Sequence, residues 1–127
     1  MERLSGWQNE AAHSQTARTT PRQTLKSQPV EFLEPVEHDL RYARDFYESW
    51  KWQGAEDFML RFRESVAWIE WNPEMFPRKY RQFRRAIIRR SYFGIYYVIE
   101  SEVTTVVAVL DMRRDPRTIQ KILKVRK

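Results

Sequence analysis

From Phe83 to Pro116 the chain reads FRRAIIRRSYFGIYYVIESEVTTVVAVLDMRRDP, and its apolar positions fall into three runs. Arg84 to Arg89, Ile95 to Ile99 and Val103 to Met112 are rich in Ile, Val and Tyr. Such residues suit a pleated, half-buried surface, so three strands are predicted. The polar gap around Ser101, between Glu100 and Glu102, predicts a tight antiparallel hairpin. Arg90 to Phe93 marks a second, less regular connection, and Gly94 beside it suggests a bend or bulge. Phe83, Ile87, Ile95, Tyr97 and Ile99 are expected to face a helical layer, with arginines toward solvent.

Upstream the period changes from two to about 3.6. Val36, Leu40, Ala43, Tyr47 and Trp50 recur at spacings of four, three, four and three, which makes one apolar stripe along a helix. Pro35 suits the first turn of that helix, where its missing N–H is harmless, and Glu37 and Asp39 favour the positive end of the dipole. Glu37, Arg41 and Asp45 form a ladder on the solvent side. Gly54 allows a reversal, after which Ala55, Phe58 or Met59, Phe62, Val66 and Ile69 form a second stripe that ends at Asn72-Pro73. The pattern is an antiparallel helix hairpin whose apolar faces need the sheet as a partner. Trp50, Trp52, Trp68 and Trp71 fall near its ends and read as core and rim packing.

Val30-Glu31-Phe32-Leu33 reads as a short edge strand before the first helix. Pro73 to Pro77 reads as a loop from helix to sheet, with Met75 and Phe76 tucked under the hairpin. Pro116 opens a short terminal helix with apolar Ile119, Ile122 and Leu123, and Lys121, Lys124, Arg126 and Lys127 favour its C-terminal end. Residues 1–29 show no sustained period. They read as a flexible arm, or as extraneous upstream sequence, that a domain of residues 30–127 does not need.

Composition narrows the function. The chain has 127 residues, enough for one domain with a real core, and no cysteine. Disulfides, thiolate catalysis and cysteine-ligated zinc are therefore excluded. No charged segment followed by an apolar one opens the chain, so no secretory signal is expected. The longest apolar run, Phe93 to Ile99, falls far short of the ~20 residues of a membrane helix, so a cytoplasmic protein without membrane contact is expected. The net charge of +6 is unevenly placed. Residues 30–76 carry five Lys/Arg against eleven Asp/Glu, a net −6, whereas residues 77–127 carry fourteen against four, a net +10. That asymmetry suits a polyanionic or acidic partner for the second half, or simply mutual attraction of the two halves.

The catalytic inventory is short. His13 and His38 are the only histidines, and neither has a partner at a metal-binding spacing, so no metal site or cofactor is expected. The three glycines, Gly6, Gly54 and Gly94, form no phosphate loop, and no Ser/His/Asp nucleophile motif occurs. What remains is arginine with interleaved aromatics, which can serve RNA, DNA or an acidic peptide. Arg113 and Arg114, which leave the last strand together before Pro116, are the leading candidates for partner binding. Arg84, Arg85, Arg89 and Arg90 come second. The structural alternative is that Arg114 pairs with Asp115 to staple the terminal helix.

The order DLRYARDFYESW, WNPEMFP, RRAIIRRSYFGIYYVIE and VVAVLDMRRDP resembles the RelE/ParE superfamily of bacterial toxins over about residues 30 to 123. The resemblance implies an α+β fold: an N-terminal strand and helix hairpin packed on a curved antiparallel sheet, with a short C-terminal helix. It also implies a toxin of a type II toxin–antitoxin pair, neutralised by a cognate antitoxin, with DNA contacted only through that complex. RelE-like members cleave mRNA on the ribosome, whereas ParE-like members poison DNA gyrase. Beyond Tyr97 this chain has no Tyr, His, Phe or Trp, Gly94 stands where RelE-like enzymes carry an arginine, and Asp111 stands where relatives show His. With no evident general base for attack by a 2′-hydroxyl, the ParE-like reading is preferred. A ribosome-dependent endoribonuclease and an inactive antitoxin-binding member are the alternatives.

Overall fold

The computed structural model describes residues 27–127. The elements run β1 (Val30–Phe32), α1 (Pro35–Trp50), α2 (Gly54–Trp71), a 3-10 turn (Pro73–Met75), β2 (Arg78–Tyr80), β3 (Phe83–Ile87), β4 (Phe93–Ile99), β5 (Thr104–Asp111) and α3 (Pro116–Arg126). The sheet order is β1-β5-β4-β3-β2. β2 to β5 form an antiparallel meander, and β1 adds to β5 in parallel, which makes the sheet mixed. Trp7 and His13, with the first 26 residues of the expected arm, lie outside the described residues. Gln28 and Pro29 belong to the fold: Gln28 Nε2 donates to the Glu100 and Ser101 carbonyls, and the Pro29 carbonyl accepts from Thr104 N–H.

Alternation splits the sheet residues between two cores. Ala86, Ile88, Phe93, Ile95, Tyr97, Val106 and Val109 pack against Val36, Ala43, Tyr47, Phe58, Phe62, Val66 and Ile69 of α1 and α2. Phe83, Tyr96, Val98, Val107, Ala108 and Leu110 form the second core with Ile119 and Leu123 of α3. The register therefore differs from the expected one at the start of β3. Phe83 faces α3, and Ile87 is 54% exposed, while Ala86 and Ile88 take the helix-facing positions.

Gly94 is not a bulge. It pairs regularly with Ile87 and Leu110, and its missing Cβ leaves room for Arg85 Cγ and Cδ and Met112 Sδ, each 3.0 Å from where that atom would stand. The irregularity lies opposite, where Tyr96 pairs Ala108 but Tyr97 pairs Val106, so Val107 is the extra residue of a β5 bulge. The reversal between α1 and α2 uses both Gln53, at φ 62°, and Gly54, whose Cβ would stand 2.0 Å from the Tyr47 carbonyl oxygen. Arg78 to Tyr80 is the outermost strand.

One contact ties three elements together. Asp39 of α1 is buried, and Arg126 near the end of α3 donates to both its carboxylate oxygens, at 2.7 and 3.0 Å. Asp39 Oδ2 also accepts from Val109 N–H, while Arg126 donates to the Val107 carbonyl, so the pair grips the β5 bulge. Neither residue serves chiefly the helix-end role expected of it. Trp50, Trp52 and Trp68 lie at the surface, none of them in either core.

Candidate partner-binding site

Tyr42, Phe46 and Trp50 recur every four residues and form one row along α1, beside the buried Tyr47. The turn after β3 brings Tyr92 to that row. Tyr92 N–H donates to Tyr47 Oη at 2.9 Å, and its carbonyl accepts from Met112 N–H at 2.7 Å. The rings then meet: Phe46 lies 5.1 Å from Trp50, Trp50 lies 6.0 Å from Tyr92, and Phe46 lies 6.1 Å from Phe93. Trp50 is 58% exposed and Tyr42 55%, so this is an open aromatic surface rather than core.

The exit of β5 places Arg113 on it. Its guanidinium carbon sits 3.9 Å from the centre of the Tyr92 ring and 5.7 Å from that of Phe46, a cation–π arrangement. The same guanidinium grips Asp111 bidentately, Nε to Oδ1 at 3.0 Å and Nη2 to Oδ2 at 2.7 Å, and Arg113 N–H adds a third bond to Oδ1. Those bonds hold the Asp111 carboxyl below its ordinary range. Arg113 thus offers a fixed, largely neutralised plane on an aromatic bed, a composition typical of interface anchors. Next to it, His38, Asp39, Tyr42, Asp111 and Arg114 line a cleft of about 110 Å³. No carboxylate among the described residues pairs with Arg114. The expected Arg114–Asp115 staple is absent: Asp115 caps α3 by accepting from Arg117 N–H and pairs with the Arg117 guanidinium.

The remaining predicted arginines do not gather here. Arg84 turns toward the 3-10 segment and donates to the Phe76 carbonyl at 2.7 Å and the Glu74 carbonyl at 3.3 Å. Arg89 pairs with Glu64 of α2 at 2.9 Å. Arg85 is half-buried and lies across Gly94. Arg90 is exposed, at φ 57°, in the turn that also carries Tyr92. The aromatic members of the surface were legible as a four-residue repeat on α1, but that repeat sits beside the stronger core stripe.

Of the groups that could take a proton here, His38 is exposed at the cleft, whereas the other two candidates are engaged. Asp111 is clamped, and Tyr97 is buried in the core with its hydroxyl donating to the Pro73 carbonyl at 2.6 Å. Burial pushes the Tyr97 phenol well above its usual range, against the lowering effect of Arg84. Among the described residues no group of three His, Asp or Glu side chains is placed to hold a metal ion.

A strand and helix hairpin on a meander sheet, closed by a C-terminal helix, defines a small α+β domain with an arginine-aromatic surface at the sheet's rim. Residues 30–116 match the family described as the ParE toxin of the type II toxin–antitoxin system, parDE, and the chain belongs to that family. Among solved structures it is similar to a chain of the chromosomal ParDE TA system from P. aeruginosa, at TM-score 0.50 and 11% identity. That alignment covers 65% of this chain and 94% of the other. No curated protein sequence matches the chain.

Proposed function

We propose that this toxin acts in the cytoplasm by inhibiting DNA gyrase and is neutralised by a cognate antitoxin whose tail carries apolar and acidic residues. Membership of the ParE family supports a toxin with an antitoxin partner. The observation that carries the choice of target is the rim surface, where Arg113, Tyr92, Phe46 and Trp50 offer area and shape. A protein-binding poison needs such an anchor. A nuclease needs a group that takes a proton; Asp111 is clamped by Arg113 and Tyr97 is occupied and buried, which leaves His38 as the one imidazole near the rim. Arg113 and Arg114 are the principal contacts in this reading. Arg90, exposed in the turn that carries Tyr92, comes after them, and Arg84 and Arg89 act by holding the sheet in shape.

A gyrase supercoiling assay run beside primer extension on ribosome-bound mRNA tests the proposal. Loss of supercoiling activity with intact transcripts is the expected result. Undisturbed supercoiling with codon-specific cleavage would overturn it.

A further inference from the structure

A second surface lies across the sheet from the rim just described. The β2–β3 hairpin carries Arg78 and Lys79 on the edge strand, Arg81 at the turn and Arg85 on the inner strand. Arg78, Lys79 and Arg81 are exposed, and none of the four pairs with a carboxylate among the described residues. Four uncompensated cations within eight residues repel one another, so the free protein gains nothing from holding them together.

We propose that this hairpin binds the phosphate backbone of a nucleic-acid duplex. Three features choose that ligand over an acidic peptide or a single strand. The edge of β2 is only three residues long and is flanked by Pro77 with Lys79 at its middle, so it offers an added peptide strand almost no ladder. Tyr80, the half-exposed ring of the hairpin, is already engaged: the Arg81 guanidinium lies 5.2 Å from its centre, and Phe83 stacks parallel to it at 6.1 Å. Bases of a single strand would have to displace those contacts, whereas phosphates need only the cations. Finally, Arg78 pairs with Arg84 across the hairpin and Tyr80 with Phe83, and Arg78 and Lys79, as successive residues of β2, lie on opposite sides of the ribbon. A two-stranded ribbon laid along a groove meets phosphates on both of its sides.

The turn adds an independent sign. Arg81 holds φ 53°, a left-handed conformation in which glycine or asparagine is less strained. Edge protection explains Pro77 and Lys79 but gives no reason for an arginine at that place. A charge delivered at the tip does.

The test uses the full chain, without gyrase, so its outcome is independent of the target proposed above. Fluorescence anisotropy would follow labelled duplex DNA, duplex RNA, single-stranded DNA and a polyglutamate peptide across a salt series. Duplex binding should weaken with salt at a log–log slope of about −3.6, the value for four neutralised phosphates. Arg78→Ala, Lys79→Ala and Arg81→Ala combined should flatten that slope by about 2.7 and weaken binding at least about tenfold. Removing three cations from the helix faces, Arg41→Gln, Arg44→Gln and Arg63→Gln, should leave the slope unchanged. Arg81→Gly serves as the folding control, since it should weaken duplex binding while the melting temperature holds or rises. The two duplex arms decide whether DNA or RNA geometry is preferred. Equal weakening by the helix-face variant, tighter binding of the single strand or of polyglutamate, or no duplex binding at low salt would each overturn the proposal.

Discussion

Replacing Arg126 or Asp39 should damage this fold more than any other exchange of one charged residue. The side chains are 17% and 7% exposed, and the guanidinium engages both carboxylate oxygens. Breaking a buried pair by removing one partner costs ~3–5 kcal/mol, because the other charge is left desolvated. The two partners are not equivalent. Arg126 is the last residue of α3 and its long side chain can swing its head into water, so Asp39→Ala strands little charge. That variant does orphan the Val109 N–H in the β5 bulge, at ~1–3 kcal/mol. Arg126→Ala leaves Asp39 fixed on α1 with only that N–H as partner, and also frees the Val107 carbonyl. Each single variant should therefore lose about 2–4 kcal/mol. The double variant should lose much less than the sum, giving a coupling of about 1.5–2 kcal/mol. At about 3–5 °C per kcal/mol for a domain of this size, each single variant should melt roughly 6–20 °C lower. Arg117→Ala breaks the surface pair to Asp115 and should change stability by less than ~0.5 kcal/mol. Urea midpoints for the four variants give the cycle directly. Additivity of Asp39→Ala and Arg126→Ala within about 0.3 kcal/mol would refute the claim that the pair acts as one clamp.

Tyr97→Phe removes the hydroxyl bond to Pro73 and should cost ~1 kcal/mol while leaving toxicity intact; loss of toxicity in the folded variant would instead make the phenol a working group. Arg113→Ala combined with Arg114→Ala should weaken the inhibited complex at least about thirtyfold with the fold preserved, and an unchanged inhibition constant in the supercoiling assay would remove the rim surface from the mechanism. Asp111 is held below its ordinary carboxylate range chiefly by the hydrogen bond from Arg113, so the folded chain binds fewer protons there than the unfolded one. Its contribution is complete near neutral pH and is lost as pH falls through the lowered folded value. Asp111→Asn should flatten that acid limb, and identical urea midpoint losses for both chains between about pH 7 and about pH 3 would contradict the assignment.

The two helices were legible because each carries a 3.6-period stripe strong enough to be read without the fold, and Val36, Ala43, Tyr47, Phe58, Phe62, Val66 and Ile69 all occupy the core. β4 and β5 were legible as apolar runs, but the same uniformity hid their details. In VVAVL every position is apolar, so period two gives no clue that Val107 and Ala108 share a face across a bulge. β2 was missed because Arg-Lys-Tyr has no apolar alternation, and its strand character comes from pairing with β3. Asp39 had a readable signal. It stands three residues after Val36 and four before Ala43, on the apolar stripe itself, where a carboxylate faces inward and needs a partner. The rim surface was half legible: Arg113 and Arg114 stood out in sequence, whereas the Tyr42, Phe46 and Trp50 row gains meaning only when the turn at Tyr92 arrives beside it.

The excess positive charge of the second half resolves into groups with different physics. Arg84, Arg89 and Arg126 spend their hydrogen bonds inside the molecule, on carbonyls, on Glu64 and on Asp39. Arg113 keeps its shape at the surface but shares its charge with Asp111, so what it presents is area. Arg78, Lys79, Arg81 and Arg114 present charge itself. A partner held on the Arg113 plane should therefore bind chiefly through burial and packing, with salt acting mainly through the neighbouring Arg114. A partner held by the β2–β3 hairpin should bind through released counterions, with an affinity that falls steeply as salt rises. The rim lies at the ends of the inner strands β4 and β5, the hairpin at the β2 edge of the same sheet, and neither uses a residue of the other. The two surfaces proposed above thus differ in kind, one gripping chiefly by shape and the other by charge.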